Sequence, residues 1–225
     1  MSKVFLIRQE LVRSVDMSDI FVAKDSKDMS EETFKSIYES AKAKYLKNNK
    51  DAKYVVFEQC KATHFGYVNA NYSMYPHELG EQSAQSWTNP FEKPVLTHHD
   101  LKTDPIGRHV SAQYVAFTLS ESQKKNITIP KGVILTHSII TDWDAMNKVL
   151  DKRYLTVSVS GNSKSVMCSI CGQDWLNLKD GEEPCPHEPG NVYKGKLCYK
   201  ITGALNYTER SFVNNPADQS KSHAA

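Results

Sequence analysis

The sequence predicts an α+β fold, mixed β-strands with two or three helices, on three observations. Short runs rich in Val, Ile and aromatic residues alternate with polar or Pro/Gly turns through most of the chain. Two stretches carry an apolar stripe at helical spacing. Hydrophobic residues make up 40% of the 225 positions, enough for a sizeable core and well above the disordered regime.

The clearest helix is expected from about Ser30 to Leu46. Ser30 serves as N-cap, Glu31 and Glu32 occupy the first turn, and Phe34, Ile37, Tyr38, Ala41 and Tyr45 form one core-packing stripe. Tyr54–Phe57, Lys93–Thr97, Val110–Leu119 and Gly132–Ile140 read as strands. A second helix follows from Asp142 to Leu150, capped by Thr141, with Trp143, Met146, Val149 and Leu150 turned inward. Tyr154–Ser160 reads as a strand, and so does Leu197–Val213 with an interruption near Gly203. Asn71 to Glu92 has no periodicity and reads as a long ordered loop, a feature usually tied to function. Residues 219–225 read as a flexible tail, so 1–218 is expected to form one domain.

Composition narrows the function classes. The 28 Lys and Arg against 26 Asp and Glu leave a net charge of +2. Such a balance argues against nucleic acid as the main partner, because those domains carry clustered cations and a basic pI. The longest apolar runs, such as Val4-Phe5-Leu6-Ile7, fall far short of the ~18 residues of a membrane span. The first residues are too short an apolar stretch for a signal peptide. A soluble intracellular protein is the expectation. No Gly-x-Ser-x-Gly elbow, Walker phosphate loop or dinucleotide glycine fingerprint is present.

Three constellations can carry chemistry. Four of the five cysteines fall between Cys168 and Cys198. Cys168-Ser-Ile-Cys171-Gly172 is followed, after thirteen intervening residues, by Cys185-Pro-His187. Two thiolates at C-x-x-C spacing grip one ion from a tight turn. Cys185 and His187 would complete a tetrahedral Cys3His shell of the kind structural zinc prefers, clipping an insertion at about 165–190. The plain alternative is a set of reduced thiols. Second, Val95-Leu-Thr-His98-His99-Asp100 ends a strand in histidines beside an acid, a fair placement for a general base. It could equally join a metal site with His109 or His137, and would then support a metal hydrolase. Third, strand alternation puts Thr156, Ser158 and Ser160 on one face. Such a row is either solvent-facing polarity or the source of a nucleophile.

Taken in order, these segments resemble the prohead maturation proteases of tailed bacteriophages, serine proteases related in fold to the herpesvirus assemblins. The resemblance runs over roughly residues 90–218. It rests on His98-His99-Asp100, Pro105-Ile-Gly107, the helix from Asp142, Ser158-Val-Ser160, and Glu209-Arg-Ser-Phe-Val213-Asn-Asn-Pro216-Ala217. The resemblance implies a mainly antiparallel, barrel-like core with flanking helices. It also implies His99 as general base, Ser158 as nucleophile and Glu209 as the acid that orients the imidazole. Ser160 stands where the family has Gly, and the zinc-like insertion is additional. The activity implied is cleavage of scaffold protein, major capsid protein and the chain itself inside the assembling prohead, in the host cytoplasm. The competing expectation is a catalytically silent capsid- or scaffold-associated protein of the same fold.

Overall fold

Strand-forming runs dominate the computed structural model, which describes residues 3–8, 11–15 and 54–215 and six helical positions between 32 and 43. Those six, Glu32, Lys35, Ser36, Glu39, Ser40 and Ala43, are all exposed. Five are polar and the sixth is a small helix former, as the outer face of the helix expected over Ser30–Leu46 should be. The apolar stripe of that helix and the tail at 219–225 lie outside the described residues.

The strands are β1 (Lys3–Arg8), β2 (Leu11–Val15), β3 (Tyr54–Phe65), β4 (Ser73–Met74), β5 (Pro94–Thr97), β6 (Gly107–Ala116) and β7 (Gly132–Ile140). They continue with β8 (Thr156–Asn162), β9 (Val166–Cys168), β10 (Val192–Tyr193), β11 (Lys196–Leu197), β12 (Lys200–Thr202) and β13 (Asn206–Val213). Three further helices are fully described: α1 (Gly80–Gln85), α2 (Glu121–Lys125) and α3 (Trp143–Leu150). The fold is therefore α+β and mostly strands. Eight strands form one sheet in the order β2-β1-β3-β7-β6-β5-β13-β8. Pairing is antiparallel except at β1–β3 and β5–β13.

The sheet curls into a nearly closed, barrel-like wall. Cys60, Val95, Ile140, Val157 and Phe212 come from five different strands yet join one buried cluster, which requires those strands to enclose a common interior. Ala145, Met146 and Val149 of α3 seal that end. A second cluster gathers Ala62, Phe65, Ile134, Leu205 and Tyr207 with Trp87 and Ala84 of the α1 region. Between them lies a polar layer. Along β7 the inward positions run Ile140, Ser138, Thr136, Ile134, so the middle two are hydroxyls. Here Arg210 meets Glu58 in a bidentate pair at 2.9 and 2.5 Å, with Ser138 Oγ donating to Glu58 Oε2 at 3.0 Å. His109 occupies the neighbouring position opposite Ser138.

Several expected boundaries shift. The segment 71–92, read as a loop, contains β4, a 3-10 turn at His77–Leu79 and α1. The six residues of α1, Gly-Glu-Gln-Ser-Ala-Gln, are too short and polar to show a stripe. The cap of α3 is Asp142, not Thr141, its carboxylate accepting from the Ala145 N–H at 2.7 Å. Trp143 sits in the first turn and is exposed, whereas Met146 and Val149 are buried as expected. The long strand expected over Leu197–Val213 is three pieces, β11, β12 and β13. β6 starts at Gly107, three residues before the expected Val110, because Gly107 and His109 pair with Ile140 and Ser138.

Candidate active site and metal centre

β5 ends at Thr97 and the chain then turns sharply over β13. His98 and His99 both take left-handed backbone angles, φ +52° and +57°, a conformation non-glycine residues adopt only under constraint. The constraint is visible. The His98 N–H donates to the Phe212 carbonyl at 2.9 Å, and the His99 N–H donates to Ser211 Oγ at 2.9 Å. Asp100 faces away, its carboxylate accepting from the Lys102 N–H at 2.9 Å. The Pro105-Ile106-Gly107 turn returns the chain beneath. A Cβ on Gly107 would lie 2.2 Å from the Ile139 carbonyl oxygen, so only glycine fits there.

Glu209 reaches the same place because of a β-bulge. Between Gly161 and Ser160 the β8 strand advances one residue, while β13 advances two, from Tyr207 to Glu209. Regular alternation would put Tyr207 and Glu209 on one face. The extra residue, Thr208, breaks it, so Tyr207 stacks on Trp87 in the interior and Glu209 points to the outer face. There Glu209 Oε1 lies 2.7 Å from His99 Nδ1, although the carboxylate is fully buried and the imidazole is about one third exposed. Its other oxygen accepts from Ser211 Oγ at 2.7 Å.

Two serines of β8 share this face. Ser160 stands opposite Glu209 and its Oγ is 3.1 Å from His99 Nδ1. Ser158 stands opposite Ser211, one pair further along. Among the described residues Ser158 has no hydrogen bond to His99. The structure thus joins His99 and Glu209, places Ser158 on the adjacent cross-strand pair, and adds two hydroxyls, Ser160 and Ser211, that touch the pair. The only textual sign of Ser211 is its place in Glu209-Arg-Ser211, two residues from the acid and so on its face.

The second centre lies between the two serine- and glutamate-bearing strands in sequence, after β8 and before β13. β9, β12 and β4 form a small sheet that supports it. Cys168 ends β9, and Gly172, at φ +77°, donates its N–H to the Cys168 carbonyl at 2.8 Å, closing the C-x-x-C turn. The ligand atoms of Cys168, Cys171, Cys185 and His187 all lie within 4.8 Å of one another, a cluster able to hold a metal ion. The donor set also fits in detail. The Ile170 N–H and the Trp175 indole N–H point at the sulfurs of Cys168 and Cys185, at 3.4 and 3.0 Å, as second partners of thiolate ligands do. His187 Nδ1 is buried with no hydrogen-bond partner among the described residues, while its ring packs edge-on against Tyr193. Burial opposes the Cys168 thiolate, but the N–H groups of Cys171 and Ile170 outweigh it and hold that thiol below its ordinary range. Cys198 is different: burial, and then the charge at Cys168, push it up to about 11, so it stays a protonated neighbour.

Among the described residues no other group of three or more His, Cys, Asp or Glu side chains has metal-ligand spacing. His98, His99 and Asp100 therefore do not gather with His109 or His137. His137 instead takes contacts from Gln59 Nε2 at 3.1 Å and Ser111 Oγ at 2.8 Å. No helix among the described residues is long and apolar enough to cross a membrane. Comparison with protein-family models, curated proteins and solved structures gives no match to this chain.

Proposed function

We propose that this chain is a serine endopeptidase with His99 as general base, Glu209 as its orienting acid and Ser158 as nucleophile. The observation that carries the reading is the 2.7 Å contact between His99 Nδ1 and the buried Glu209 carboxylate, on the face where β8 presents its serines. A carboxylate there holds the proton on Nδ1 and leaves Nε2 basic. Ser160 lies on the nitrogen that Glu209 already occupies, so its hydroxyl cannot hand a proton to Nε2. Ser158, on the neighbouring pair, is the serine left for that nitrogen. Nε2 takes the Ser158 proton as Oγ attacks the peptide carbonyl, then returns it to the leaving amine, and Glu209 stabilises the intervening imidazolium.

The order of motifs from His99 to Ala217 supports the narrower proposal of a phage prohead maturation protease, herpesvirus-protease-like in fold. Its substrates would be scaffold protein, major capsid protein and itself, inside the prohead in the host cytoplasm. The Cys168, Cys171, Cys185 and His187 set suits structural zinc, since four protein ligands leave no open position for a substrate. Ser160 in place of glycine favours the second reading, a silent capsid- or scaffold-associated protein.

Co-expression with capsid and scaffold proteins, scored by mass spectrometry of the products, tests both. Ser158→Ala should abolish capsid cleavage and self-processing, and Ser160→Gly should keep or raise them. Glu209→Gln should lower the rate about 10³- to 10⁴-fold while Asp100→Asn changes it little. Loss in Ser160→Ala with full activity in Ser158→Ala would move the nucleophile. Cleavage surviving both would remove the protease reading, and no cleavage by the unmodified chain would leave the silent one.

A further inference from the structure

We propose that Ser211 is a positioning residue that pins the base and its acid together through one hydroxyl; this rests on the protease reading above. Ser211 is fully buried, and its Oγ meets two groups of the site at once. It donates to Glu209 Oε2 at 2.7 Å and accepts the His99 backbone N–H at 2.9 Å. A serine hydroxyl offers one proton and two lone pairs, so these two bonds use its donor and one acceptor.

Each bond answers a need that no other group among the described residues meets. Glu209 is a carboxylate with no exposure, and Oε1 is engaged by His99. Without Ser211 the second oxygen would be buried without a donor, and the carboxylate would be free to rotate away from the imidazole. The His99 N–H, likewise, belongs to two successive left-handed residues that persist only where surrounding bonds hold them. The Phe212 carbonyl fixes His98 and the Ser211 hydroxyl fixes His99, so β13 holds the turn at two adjacent positions. Ser211 thereby makes the backbone position of the base and the orientation of the acid one mechanical unit. Ser158 sits directly across the strand pair, so the same residue also sets the spacing between the pinned imidazole and the proposed nucleophile.

The test compares the full-length chain with Ser211→Ala, Ser211→Cys and Ser211→Thr. Non-exchangeable ring protons correlated to ¹⁵N report the His99 tautomer without needing activity. The unmodified chain should show the Nδ1–H form enforced by Glu209, Ser211→Thr should keep it, and Ser211→Ala should shift toward the Nε2–H form. On a capsid-derived peptide, kcat should fall about tenfold to hundredfold in Ser211→Ala with KM nearly unchanged, as for a misplaced catalytic group. Thr should restore most of it. A merely structural serine would lower thermal stability and leave tautomer and kcat of the folded fraction intact, which would overturn the proposal. If Ser211→Ala does not fold, Ser211→Cys carries the test, a thiol being a weak donor of similar size. Loss of the tautomer in a chain that cleaves nothing would keep the pin and remove the protease; cleavage with an unaltered Ser211→Ala would do the reverse.

Discussion

His109 makes the stability of this fold sensitive to acid, and the size of the effect can be worked from its surroundings. The side chain is fully buried, its ring centroid 4.4 Å from that of Trp87, and neither ring nitrogen has a hydrogen-bond partner among the described residues. Burial first, and then the charges of Arg210 and His137, hold its pKa well below the ordinary histidine range. Glu58, the one carboxylate of the polar layer among the described residues, is already engaged by Arg210. A proton on His109 would add a second cation beside that guanidinium, so the folded protein keeps the imidazole neutral. The unfolded chain takes up the proton near pH 6.5. Below that pH the unfolded state binds more protons than the folded one, and stability falls as the pH drops. Between pH 7.5 and 5.5 the loss from this one group is about 1.4 kcal/mol, or about 3–5 °C in Tm for a chain this long. His109→Leu keeps the volume and removes the titration. Chemical denaturation of both proteins at the two pH values provides the assay. The drop on acidification should be smaller in the variant by about that amount. An identical drop in both would mean that His109 is not the group that titrates, whatever the variant's absolute stability.

Protein purified without added metal should contain one zinc per chain by elemental analysis. Cys171→Ser should lower both the zinc content and Tm, since structural zinc contributes several kcal/mol or more; metal-free protein of unchanged stability would refute the clip. Arg210→Met should cost about 3–5 kcal/mol in denaturant unfolding, because it strands the Glu58 carboxylate in the interior. Adding Glu58→Gln should recover part of that loss, and a cost below about 1 kcal/mol would mean that the pair is not isolated from water.

The sequence made legible what rests on period and spacing. The strands β5, β7 and β8, the helix α3 and the cluster of Cys168, Cys171, Cys185 and His187 follow from alternation, the 3.6-residue stripe and the C-x-x-C turn, all local signals. The pairing of His99 with Glu209 bridges 110 residues, and no local pattern contains it; it was legible through motif order. What escaped was set by tertiary pairing. The Thr208 bulge has no glycine to mark it, and the pairing of Arg210 with Glu58 spans 152 residues of sequence. Ser160 and Ser158 are equivalent by alternation, and only the register of β8 against the bulged β13 sets Ser160 opposite Glu209 and Ser158 opposite Ser211.

The Thr208 bulge also has a consequence for how strictly β13 can be threaded. Downstream of it, successive residues carry opposite charges to opposite faces: Glu209 outward to His99, Arg210 inward to Glu58. A slip of one residue exchanges the two faces. Glu209 would then confront Glu58 across a water-poor interior, two carboxylates with no cation between them, while Arg210 would stand beside the imidazole. Apolar strands tolerate misthreading when either face offers grease. Here the wrong thread is penalised by like-charge repulsion at one face and lost pairing at the other. The alignment of β13 is therefore held by charge on both of its faces as well as by its backbone ladder.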